Sequence, residues 1–238
     1  MSFAATLCPV GWGFDTIHVF TPALAARLKA AHYPGPLLAL WRYVSLGEPF
    51  SRADITPGER DAILGAGWLL GLVQHVQRPS WQADAGLGAA HGCAAVAHAA
   101  SVGYPAGCHI ALDLEGVGNP GAPVMGYVVR WAEKAHAAGY RVLLYCGYDD
   151  GLTDTQVTAL AQGGHVDEFW SDFGPRSLPS PYQFSVKQHA QTLVAGVSVD
   201  PDEIRLAGLA LMGLVPDTIP APPPEDAEPH HDETDPHT

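Results

Sequence analysis

Short, nearly unbroken apolar runs alternate along the chain with longer stretches in which apolar residues recur every three or four positions. The first pattern predicts strands covered on both faces and the second predicts amphipathic helices, so their alternation predicts βα units rather than a sandwich. Strands are expected at 10–14, 37–44, 68–76, 109–114, 141–146, 166–170, 183–188 and 193–199, with runs such as LLALW and VLLYC at their centres. Helices are expected at 22–32, 60–65, 84–101, 125–138, 154–161 and 202–212. Thr21 followed by Pro22 reads as an N-cap with proline in the first turn, Thr56-Pro-Gly-Glu59 as a capping box, and Gly139 as a helix-ending residue.

Eight strands with intervening helices predict an α/β fold, a single (β/α) barrel of TIM type, regular or irregular, over residues 1–212. The rival topology is an open doubly wound sheet. It would normally carry a glycine-rich phosphate loop after the first strand, and Gly11-Trp12-Gly13-Phe14-Asp15 does not have that spacing. With no phosphate loop elsewhere, no cofactor is expected. Residues 213–238 are expected to form a disordered acidic, proline-rich tail, because the last 23 residues hold seven prolines and seven acids and cannot bury apolar surface.

Charge narrows the function classes. Lys plus Arg total 12 against 25 Asp plus Glu, a formal net charge of −13. Without the tail, 18 acids face 12 bases, so the acidity is mostly a tail property. Such a surface argues against nucleic acid and anionic lipid as partners. No apolar run reaches the ~20 residues needed to span a bilayer, so no membrane insertion is expected. The cysteines, at 8, 93, 108 and 146, form no CxxC pair, and neither His91/Cys93 nor Cys108/His109 has a second pair to complete a metal site; no metal is expected. The N-terminal segment MSFAATLCPVGWGFD has neither a basic region nor an unbroken apolar one, so synthesis without a signal peptide is expected.

In a barrel, chemistry collects at the C-terminal ends of the strands. The first strand ends at Asp15, the fourth reads HIALDLEG with Asp113 and Glu115 two apart on one face, and the last ends at Asp200. Closely placed carboxylates raise each other's pKa, and a carboxyl kept protonated near neutrality is what a general acid requires. Four acids converging on one mouth fit glycosidic-bond hydrolysis, in which one carboxyl protonates the leaving oxygen and another stabilises the oxocarbenium-like centre. A lone Asp at a strand end also serves as a cap or turn residue, which is the plain reading of Asp15 before Thr16 and of Asp200 before Pro201. The Asp113/Glu115 pair in so apolar a run is costly unless it is paired or functional. Trp12, Tyr43, Tyr145, Tyr148, Trp170 and Asp172 lie near the same strand ends and are expected to line a sugar-binding cleft. No G-x-S-x-G elbow favours a serine nucleophile.

GFD near the N-terminus, ALDLEG, WAEKAHAAGYRVLLYCGY, FWSDF and GVSVD, in that order over about residues 9–206, resemble the glycoside-hydrolase-like domains of the mycobacterial secreted-protein type. Those domains are similar to the glycoside hydrolase family 25 muramidases. The resemblance implies a barrel that cleaves a β-1,4 bond in peptidoglycan, with Asp15, Asp113, Glu115 and Asp200 as the acidic cluster. Pro201 stands where that family usually has an aromatic. The alternative is a catalytically silent glycan-binding or structural module of a phage tail or envelope assembly. With no signal peptide expected, access to the cell wall is expected after lysis or through a phage particle or other delivery machinery.

Overall fold

In the computed structural model, which describes residues 9–47, 51–76, 78–147, 149–172, 178 and 182–205, the apolar runs become the strands of one sheet. β1 (Pro9–Asp15), β2 (Leu37–Tyr43), β3 (Leu69–His75), β4 (His109–Asp113), β5 (Arg141–Cys146), β6 (Glu168–Ser171) and β7 (Phe184–Gln188) pair in parallel in that order. β8 (Thr192–Val194) and β9 (Val197–Arg205) form a hairpin, and β9 pairs antiparallel with both β7 and β1. The barrel therefore closes with eight strands, one of them reversed. It is a TIM-type barrel of irregular form, as expected.

The reversed strand corrects two readings of the sequence. Residues 193–199 were expected to be one strand, but Ala195 and Gly196 both take positive φ (49° and 77°) and turn the chain between Val194 and Val197. Two such residues between paired strands make the tight hairpin whose twist matches its flanking strands. Helix was expected over 202–212, yet Asp202–Arg205 continue β9, held by β1 on one side and β7 on the other. Sheet pairing overrides the helical pattern there. Residues 206–238, including the expected tail, lie outside the described residues.

Helices α1 (Pro22–Lys29), α2 (Pro57–Gly65), α3 (Ala85–Ser101), α4 (Ala122–Ala137) and α5 (Asp154–Gln162) cover the outside. Thr21, Thr56, Asp84 and Thr153 each accept a backbone N–H in the first turn, so local capping chemistry places the starts of α1, α2, α3 and α5. The capping box expected at Thr56 is only half made. Thr56 accepts from Glu59 N at 3.2 Å, but Glu59 Oε1 accepts instead from Arg42 Nε at 2.6 Å and Phe20 N at 2.9 Å. Arg42 and Glu59 are both fully buried, and Arg42 also donates to the carbonyls of Thr16 and Ala53. This ion pair ties the segment after β1 to β2 and α2, just behind the mouth of the barrel.

Two apolar layers result. The outer one joins helices and strand backs around Phe14, Trp68, Trp81 and Trp131; the inner one fills the barrel with Trp41, Tyr145, Trp170, Val186 and Ile204. Trp41 occupies its place because Gly13 and Gly71 face it: a Cβ at either would come within 2.4 Å of its ring. The Trp41 and Trp170 rings pack with centroids 5.1 Å apart. Close-packed indoles thus plug the barrel beneath its mouth, and the strand-end residues stand above them.

Candidate active site

The layer above the indoles is where the acids meet. Asp113 ends β4 and stands in register with His75 at the end of β3, because side chains alternate and both occupy inward positions. His75 Nδ1 lies 2.5 Å from Asp113 Oδ2, and the other oxygen, Oδ1, accepts from Glu115 N at 2.8 Å. Both carboxylate oxygens are therefore engaged as acceptors, the arrangement that suits an ionised group. Burial pulls the His75 pKa down, but the hydrogen bond and charge of Asp113, with Glu115 and Asp15 behind it, more than offset this and leave it raised. His75 and Asp113 form a charge-assisted pair.

Glu115 reaches out from the same turn to the rim and is exposed. Its pKa rises to about 7, through partial desolvation first and then the charge of Asp113, with Asp149 and Asp172 adding and His75 opposing. A carboxyl of that kind keeps a large protonated fraction at neutral pH.

Asp15 ends β1 opposite Asp200 of β9, and residues directly opposite in a sheet share a face. Asp15 is 4% exposed and its pKa climbs to about 8, chiefly from burial, then from Asp200, with Asp113 and Glu115 contributing. Gln188 Nε2 donates to Asp15 Oδ2 at 2.8 Å, and Gln188 Oε1 accepts from the Tyr145 hydroxyl at 2.7 Å. Asp200 is half-buried, with its pKa raised by desolvation. All four expected acids thus come to one mouth. Asp200 does so for a reason the sequence hid: its strand is reversed, so the early part of β9 lies beside the end of β1.

One residue farther along the same face, Asp202 is wholly buried inside the barrel. Neither of its oxygens, nor the nearby Trp170 Nε1, makes a well-formed hydrogen bond among the described residues. Burial, then the charges of Asp15 and Asp200, push its pKa far above the carboxylate range. Burial and mutual repulsion therefore favour the protonated form of both Asp15 and Asp202.

The expected cleft aromatics divide. Tyr43 is half-buried at the mouth beside His75, ring centroids 6.4 Å apart. Trp12 is a correction: it points outward from β1 and packs on Tyr33 and His189, because inward positions on β1 belong to Gly11, Gly13 and Asp15. Tyr145 and Trp170 are also corrected as sugar platforms. Both face inward but are under 5% exposed and pack edge-on against each other, so they support Asp15 from below. Asp172 is buried just past β6 and acts on Glu115 through its charge. Tyr148 lies outside the described residues.

His75, Gln188 and Asp202 were missed. His75 and Gln188 end strands, so the strand-end criterion that selected Asp15 would have found them. Asp202 was concealed by the expected helix. His75, Asp113 and Glu115 also bring one potential ligand atom each within 4.8 Å of the others. The first two are also hydrogen-bonded to each other, as an acid–base pair would be. Between Asp15 and Asp113 lies a hollow of only about 10 Å³, roughly one water in size. A much larger cavity, about 510 Å³, opens on the other side of Tyr43 and His75. Among the described residues no helix is long and apolar enough to cross a membrane.

Several solved structures share this architecture. An uncharacterised B. stearothermophilus protein aligns with a TM-score of 0.66 at 19% identity, over 84% of this chain and 99% of its own. The Mycobacterium tuberculosis Tat-secreted protein Rv2525c aligns at 0.61 and 20% identity, over 82% and 95%. The catalytic domain of endolysin ply40, from bacteriophage P40 of Listeria monocytogenes, aligns at 0.54 and 15% identity, over 84% and 95%. At these identities the likeness is one of fold. No curated protein matches the sequence. The mycobacterial neighbour runs against the expectation of access without a signal, after lysis or through delivery machinery: that protein is Tat-secreted, a signal-dependent route. Residues 29–203 match the Rv2525c-like, glycoside hydrolase-like domain, and the chain belongs to that family.

Proposed function

We propose that this protein hydrolyses a β-1,4 glycosidic bond in peptidoglycan, with Glu115 as the general acid. The observation that carries the reading is the division of labour between adjacent carboxyls. Asp113 is held as an acceptor by His75 and by the Glu115 backbone, while Glu115 has a pKa near 7. Glycosidases need one carboxyl protonated and another ionised beside the same bond. The Glu115 proton passes to the glycosidic oxygen as the bond to the anomeric carbon breaks. The Asp113 carboxylate faces the positive charge that develops on the sugar, directly or through its acetamido group. Water then adds to the anomeric carbon and returns a proton to Glu115. Asp15, neutral and fixed by Gln188, and Asp200 beside it orient the sugar from the β1–β9 side. The endolysin catalytic domain among the structural neighbours agrees with a glycan substrate.

Release of reducing ends from purified peptidoglycan tests the proposal. Glu115→Gln is expected to lower the rate by on the order of 10² or more with the fold intact. Wild-type protein that binds sacculi but releases no reducing ends would refute catalysis and select the glycan-binding module.

A further inference from the structure

The 510 Å³ cavity beside the acid cluster falls in the size range of small-molecule sites and differs from the rest of the mouth in charge. The catalytic side presents Asp15, Asp113, Glu115, Asp172 and Asp200. The cavity is lined instead by His75, Arg78 and His91, with Tyr43 and Leu87 among its apolar walls. Among the described lining residues the one carboxylate is Asp54, which is 9% exposed and has Oδ2 engaged by Ser51 N at 2.7 Å. Arg78 is exposed and its guanidinium has no ion-pair or hydrogen-bond partner among the described residues. His91 sits on α3 with Nδ1 on the Tyr127 hydroxyl at 2.7 Å, and Nε2 has no partner among the described residues. In a chain with 25 acids against 12 bases, a guanidinium with no partner among the described residues, beside a second nitrogen donor and a few residues from an acidic cluster, has the chemistry to take an anion.

We propose that this cavity is a specificity subsite for a carboxylate-bearing substituent of the glycan, with Arg78 as its cationic anchor and His91 as a further donor. The proposal rests on the glycan-hydrolase reading. Tyr43 borders both the cavity and the catalytic hollow, so a sugar at the acids would direct an acidic side-arm across that ring to Arg78. Such an arm would be repelled everywhere else around the mouth. The muramyl lactyl group of peptidoglycan has this chemistry, and a chitin-type sugar lacks it.

The test compares N-acetylglucosaminyl-N-acetylmuramic acid with N,N′-diacetylchitobiose, two disaccharides that differ only in the 3-O-lactyl group. Each is titrated by NMR into the full chain carrying Glu115→Gln, which separates binding from turnover. The muramyl disaccharide is expected to bind about 10-fold more tightly, as one charge-assisted hydrogen-bond pair provides, and to shift the amides of Ser45, Gly47 and His91. Adding Arg78→Gln should reduce the preference to near unity, and Arg78→Lys should restore part of it. Equal affinity for the two sugars, saturable binding of neither, or a preference that survives Arg78→Gln would overturn the subsite. A wild-type protein that releases no reducing ends while the preference and its Arg78 dependence hold would refute the hydrolase reading and support the subsite.

Discussion

Replacing Asp15 by Asn removes an acid whose pKa rises from 3.8 to about 8 on folding. Between those values the folded chain holds a proton that the unfolded chain has lost, so stability falls as pH rises, by 1.36 kcal/mol per unit for one proton. The penalty is absent below pH 4, grows through neutrality and is complete only above pH 8. At pH 7 it amounts to about 4 kcal/mol for a proton carried by Asp15 alone. Asp15 and the buried Asp202 act on each other through their charges, so the titration is spread over both and about 2 to 4 kcal/mol is expected from the substitution. Asn keeps the acceptor that Gln188 uses, so the hydrogen bond does not offset the gain. In urea denaturation, Asp15→Asn should match the wild type near pH 4 and exceed it by the stated amount at pH 7, with Tm higher by roughly 4 to 16 °C. Hydrolysis should fall in the same variant, a trade of activity for stability. If the variant were less stable than wild type at pH 7, or if both kept the same pH slope, Asp15 would not hold a proton in the folded state.

Two further outcomes follow from neighbouring contacts. Arg42→Met strands the buried Glu59 carboxylate and should cost about 3–5 kcal/mol in urea denaturation, while the double variant Arg42→Met/Glu59→Met should recover most of it; equal losses in both would show that the ion pair is not the source. The positive charge of His75 lowers the Glu115 pKa, so His75→Gln should move the alkaline limb of the kcat/KM–pH profile to higher pH; an unmoved limb would remove His75 from the acid–base group.

The barrel was legible because seven of its strands are parallel, and parallel strands buried on both faces leave apolar runs that need no tertiary context. β5 was read at 141–146, the bounds it has in the structure. Asp113 and Glu115 were legible for the same reason, as acids interrupting such a run. The reversed strand was not. Val197–Arg205 reads VSVDPDEIR, and its second half is as polar as a helix surface; what makes it strand is β1 and β7 on either side, 190 and 20 residues away. The aromatics failed for a related reason. Position along a strand says that Trp170 is near the mouth, whereas only the packing of Trp41 beside it says that the ring lies below the surface.

The junction of β1 with β9 joins the two ends of the barrel in a single antiparallel seam, and it is also where Asp15, Asp200 and Asp202 meet. Every other β1–β7 contact is closed by a local crossover, but this one brings together residues some 190 positions apart, the contact with the largest loop-closure cost. The chain must then press three acids into its interior at the very joint that completes the cylinder. The mouth where the acids meet and the joint that closes the barrel are one place, so whatever loosens that seam also exposes the buried acids to water.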